Sequence, residues 1–341
     1  MMTYLKLSAF SLSALLPLGV FAASYTTVSS GDPLNWADAS TWLADGAAAS
    51  SAPTASDRIN NTASVKVNIY LDGETGYALN GNYGGQGGVM DIKNGAVWNM
   101  GYAYTMGGQQ WVYNINTGST VSGFFAVASA SDTVVNLDGA TLNGNFEAWA
   151  NNAVGTINVS NNAAFNGSFR FNSGDNTTIN ANFKDAVYTG KSVSYLGATR
   201  ATSTLNLAFD GSGNTVSFSS LDIHAGLITF VADSGGVTLL EADSLVFDAG
   251  VALKVDFSNA VLVDKTTNID LISSSATDLS AYAGMDIDFV YKNSGDSAKL
   301  LYNDASNSLY VEYTSAIPEP SSCAALLGLL ALALAAYRRG K

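Results

Sequence analysis

The side chains able to do chemistry are few and far apart in this chain. His224 is the only histidine and Cys323 the only cysteine. A His/Cys metal cluster therefore cannot be built, and a Ser-His-Asp triad would have to pass through His224. Its setting, "LDIHAGL", alternates like an ordinary strand, so the expectation is a surface or turn histidine and not a catalytic base. Cutting a polysaccharide needs clustered carboxylates as acid and base, or Ca2+ with a basic residue to take the proton. Ahead of the C-terminal tail the arginines are Arg58, Arg170 and Arg200 and the glutamates Glu74, Glu147, Glu241 and Glu312, all scattered, and no two aspartates are adjacent.

Two short stretches test this further. Asp286 and Asp288 in "MDIDFV" share one strand face and could make a weak Ca2+ site; alternating exposed aspartates account for them better. "GGQGGVMDI" resembles the Ca2+-binding G-G-x-G-x-D repeat, but it occurs once with Asp91 out of step, and reads as a flexible Gly-rich turn. No catalytic residue, metal or cofactor is expected.

The elements carrying these residues show in the composition. Of 341 residues, 47% are hydrophobic, only 13% are charged and 33 are glycine. That charged share is about half the usual one and suits a turn-rich, all-β protein. Setting aside Lys6, Arg338, Arg339, Lys341 and Glu319 reduces the 15 basic residues to 11 and the 28 acidic ones to 27, so the body stands near −16. With no basic stripe, such a body excludes nucleic acid as a partner.

A repeat runs along the body in "YNINTGSTVSGFF", "VNLDGATLNGNF", "INVSNNAAFNGSF" and "INANFKDAVYTG". Asn114, Asn136, Asn158 and Asn180 recur every 22 residues after Asp91, and Gly101, Gly123, Gly144, Gly167 and Gly190 keep the same pace. Around each Asn the apolar residues alternate, as at Ile157 and Val159, which means strands with one buried face. The predicted fold is an all-β parallel β-helix of about 22 residues per turn and about a dozen turns, with Ile157 and Val159 inside and Asn158 outside. Stacked turns explain the missing charge. Like charges about 4.8 Å apart repel by roughly 0.9 kcal/mol even in water, whereas Asn columns can hydrogen-bond along the stack.

The predicted boundaries are 1–22 for a signal helix, 23–88 for an N-terminal cap and first turns, 89–200 for regular repeats, 201–316 for less regular turns and a C-terminal cap, and 317–341 for a tail. Trp36, Trp42, Gly46, Pro53 and Asp57 resemble the W…W…G…P…D opening of many bacterial surface β-helix proteins. The bland account, aromatic residues plugging an open core, agrees. Strand-like segments after residue 200 resemble the ends of autotransporter-like passenger domains in general pattern only.

Lys6, an apolar run and Val20-Phe21-Ala22 make a secretory signal, with cleavage expected between Ala22 and Ala23. At the other end, residues 321–337 form 17 positions without a charge, about 25 Å as a helix, before Arg338 and Arg339. That predicts a transmembrane helix with the body outside and the arginines on the cytoplasmic side.

Pro318-Glu319-Pro320, small residues, a Leu/Ala/Gly helix and the Arg338-Arg339 pair together resemble the PEP-CTERM sorting tail of bacterial surface proteins, over about the last 25 residues. The resemblance implies an exosortase-like membrane enzyme as partner, and transfer from inner-membrane anchor to cell surface or extracellular matrix. The expected role is structural or adhesive and not enzymatic. The alternative is a polysaccharide-binding or polysaccharide-degrading β-helix, with extracellular polysaccharide as the further partner.

Overall fold

The computed structural model of the chain describes residues 23–28, 33–61, 66–84, 86–106, 109–211, 215–234, 236–261, 266–316 and 327–332. It is all-β, with 61% strand and 6% helix, wound as a β-solenoid of about 8 turns. The dozen turns expected is therefore an overcount, and the solenoid is roughly 40 Å long at about 4.8 Å per turn. Two causes are visible. Later turns lengthen, with Asn180 and Asn206 stacked 26 residues apart, and the last strands leave the parallel stack. Strand Thr266–Ser274 pairs antiparallel with Ser308–Thr314, which pairs antiparallel with Ser297–Asn303.

A typical turn supplies up to three short parallel strands. One face stacks Val67–Asp72, Gly88–Lys93, Trp111–Ile115, Thr133–Asp138, Val154–Ser160, Thr178–Lys184 and Thr204–Asp210. Alternation drives it: Ile69, Met90, Tyr113, Val135, Ile157, Ala181 and Leu207 all point into the core and are buried. As predicted, Val159 is buried beside Ile157 while Asn158 lies on the outer side. Another face stacks Phe146–Ala148 between the second half of Thr120–Ala128 and Phe169–Phe171.

Glycine and asparagine close the corners. Asn94, Gly95, Gly118, Gly139, Asn161 and Asn162 take φ between 55° and 79°, which glycine adopts freely and asparagine tolerates. At another corner the recurring glycines are packed on one another. A Cβ on Gly144 would stand 1.7 Å from Gly123 O, and one on Gly167 would stand 1.9 Å from Gly144 O. The column stops at Gly190, where the Tyr188 hydroxyl donates to Gly167 O at 3.1 Å. Of the Gly-rich stretch before Asp91, Gly87 takes φ 77° in a turn and Gly88 opens the next strand. A Cβ on Gly88 would lie 2.2 Å from Val67 O, because the strand it opens is wedged between two others.

The outer Asn column forms with one correction. Asn114 Nδ2 donates to Asp91 Oδ1 at 2.7 Å, Asn136 to Asn114 and Asn158 to Asn136 at 2.8 Å each, and Asn182, not Asn180, to Asn158 at 2.7 Å. Two extra residues in that turn keep the inside-outside alternation but shift every outward side chain by one outward position. Asn180 joins a parallel column instead, donating to Thr156 Oγ1 at 3.3 Å and accepting from Asn206 Nδ2 at 2.8 Å.

Trp36 and Trp42 plug the N-terminal end, 1% exposed each, with ring centroids 4.8 Å apart in an edge contact. Asp57 ties that cap together, accepting from Thr54 N at 2.8 Å, Thr54 Oγ1 at 2.6 Å and Ala23 N at 3.2 Å. The expected signal helix, and most of the expected transmembrane helix, lie outside the described residues. Residues 327–332 are helical and exposed. Among the described residues no helix is long and apolar enough to cross a membrane.

Candidate functional site

Glu147 is the one buried glutamate among the described residues, 1% exposed. In "FEAWA", Phe146 and Ala148 point into the core, so alternation turns Glu147 outward. Neighbouring turns then cover it. Oε1 accepts from Asn145 Nδ2 and from Arg170 Nη1, both at 3.0 Å. Oε2 accepts from Trp149 Nε1 at 2.7 Å and from Asn172 Nδ2 at 3.0 Å. Arg170 stands directly over Glu147 in the strand register. Four donors occupy both oxygens of this carboxylate and suit it to hold Trp149 and Arg170 in place.

A second polar cluster surrounds Arg200 at the end of a short 3-10 turn. Its Nη2 and Nε donate to Asp222 at 2.6 and 3.1 Å, and its Nη1 donates to Asp248 Oδ2 at 2.6 Å. His224 Nδ1 lies 2.8 Å from that same Asp248 oxygen and 3.4 Å from Arg200 Nη1. All four side chains are about one-third exposed. The hydrogen bonds to Asp222 and Asp248 hold the guanidinium above its ordinary range, and those from Arg200 and then His224 bring Asp248 down to about 2. His224 is thus a partly exposed strand residue, in keeping with its alternating sequence, and sits beside the Arg200–Asp248 ion pair. A histidine oriented by an aspartate resembles half of a hydrolytic triad, but here the aspartate oxygen is shared with a guanidinium.

Neither cluster was legible as a list of rare residues, yet a signal existed. Glu147 and Arg170 are 23 residues apart, Arg200 and Asp222 are 22, and His224 and Asp248 are 24, each close to one turn. Opposite charges at the repeat period are the pattern to seek.

The other candidates stand apart. Asp286 and Asp288 are exposed, and Asp288 pairs across strands with Lys254. Among the described residues no three His, Cys, Asp or Glu side chains gather as metal ligands. Asp91 ends the Asn column as its acceptor. A cleft of about 460 Å3 is lined by hydroxyls and two acids, including Ser217, Ser273, Ser275, Glu241 and Asp243; Ser275 Oγ donates to Asp243 Oδ1 at 3.0 Å. Pro318, Glu319, Pro320, Arg338, Arg339 and Ala22 lie outside the described residues. Ala23 is the first described residue, its amide on Asp57. Compared with known proteins, the chain matches no family model, no curated protein and no solved structure.

Proposed function

We propose that this chain is an exported bacterial surface protein with a structural or adhesive body, carried outward by its signal and released from a membrane-anchored tail by an exosortase-like enzyme. One observation supports the role of the body above others: the unbroken side-chain column from Asp91 to Asn182, in which each amide donates to the turn before it. It stiffens a solenoid that has no disulfide and fills one outward column with amides in place of like charges. The sorting half of the proposal rests on the sequence of the tail. There two prolines flank Glu319, a sequence that resists helix and would suit the grip of a membrane enzyme.

The test is Glu319→Ala in a host carrying the sorting enzyme. The variant should insert normally and remain in the membrane fraction at full tail length, while the wild type loses its tail and reaches the surface. Mass spectrometry of the mature C-terminus reads the result. Surface protein that still ends in Lys341 would mean that the tail is an anchor only.

A further inference from the structure

Outward positions of the repeat are mostly polar, and the face that carries Glu147 gathers aromatic rings among them. There Tyr102, Tyr104, Phe124 and Trp149, from three successive turns, lie half-exposed together. Tyr102, Phe124 and Trp149 form a triangle with ring centroids 5.5, 5.8 and 6.2 Å apart and planes within 33° of one another. Tyr104 meets Trp149 edge-on at 5.8 Å. Ala126 lies between Tyr104 and Glu147 in the strand register and is buried beneath this layer. A contiguous aromatic patch on the outside of a polar solenoid marks a binding surface.

The patch is built to stay rigid. Glu147 fixes the Trp149 indole through its N–H, and is itself held by Arg170, Asn145 and Asn172. Polar groups remain unused at the rim. Among the described residues the Tyr102 and Tyr104 hydroxyls, Arg170 Nη2 and the Asn172 carbonyl oxygen carry no partner, and the Arg170 side chain is 36% exposed. Flat rings with hydroxyl, guanidinium and amide groups around them match a pyranose, which has apolar C–H faces and a rim of hydroxyls. The triangle, with sides of 5.5, 5.8 and 6.2 Å, makes a platform on the scale of one or two sugar rings. Charge selects among glycans. Glu147 and Arg170 cancel within a body that is strongly acidic, which repels polyanions and leaves neutral chains.

We infer that Tyr102, Tyr104, Phe124 and Trp149, rimmed by Arg170 and Asn172, bind neutral polysaccharide by stacking sugar faces on the rings. The inference deepens the adhesive role proposed above and rests on it. Tryptophan gives a direct readout. Of five tryptophans, Trp36, Trp42, Trp98 and Trp111 are at most 1% exposed, so Trp149 is the one a quencher can reach.

The experiment uses the full chain in a non-glycosidic detergent with three probes: microcrystalline cellulose, soluble galactomannan and polygalacturonate. Galactomannan should shield Trp149 from acrylamide, cellulose should retain the protein, and polygalacturonate should do neither. Trp149→Ala should weaken retention about tenfold or more. Tyr104→Ala should do so while keeping the Trp149 signal, with circular dichroism reporting an intact solenoid for both. Three results overturn the inference: preference for polygalacturonate, undiminished binding by both variants, or no shielding by a neutral chain. None of these bears on tail processing, so this reading can fail while the sorting proposal stands.

Discussion

Replacing Glu147 by Gln changes one atom of the outer face and should disturb two turns. The carboxylate accepts two donors on each oxygen: Asn145 and Arg170 on one, Trp149 and Asn172 on the other. The amide keeps one oxygen and turns an NH2 group toward two N–H donors, so two hydrogen bonds to a charged acceptor disappear. Each is worth about 1.5–3 kcal/mol. Arg170 and Trp149 are partly exposed, and water recovers part of the loss. The net destabilisation should therefore be about 3 kcal/mol, enough to move a urea midpoint by roughly 1 M. Because solenoid stability is local, hydrogen exchange should quicken most in strands Phe146–Ala148 and Phe169–Phe171. Acrylamide should quench Trp149 more strongly once its N–H loses a fixed partner. A variant with an unchanged midpoint, unchanged exchange and unchanged quenching would refute the claim that Glu147 organises this face.

Two further outcomes test the register and the second cluster. Ile157→Asp places a carboxylate at a site with no exposure and should cost about 4 kcal/mol or more, whereas Asn158→Asp keeps an acceptor for Asn182, loses one donor, and should cost about 1–2 kcal/mol; equal urea midpoints for the two would sink the register. Arg200 and His224 hold the folded-state pKa of Asp248 near 2, below its ordinary 3.8, so protonation favours the unfolded chain. The stabilisation is complete above about pH 4 and is lost as pH falls through 2. Asp248→Asn should flatten the dependence of melting temperature on pH in that window, and an unaltered slope there would rule the cluster out as its source.

The sequence by itself determined the class of fold and the inside-outside sense of its strands. Alternation at Ile157, Asn158 and Val159 is a local property, since successive side chains of any strand point to opposite faces; the period of Gly144 and Gly167 was legible too, but the corner where their backbones touch is a product of the stack. Which residues meet across turns was a different matter. Two extra residues put Asn182 under Asn158 in place of Asn180, a change that leaves alternation untouched and that no single strand reveals. The same stacking carried Glu147 beneath Arg170, gathered Tyr102, Tyr104 and Phe124 beside Trp149, and brought Arg200 to Asp222, His224 and Asp248. In a solenoid these neighbours depend on the summed length of the intervening turns, and only the packed stack settles that length.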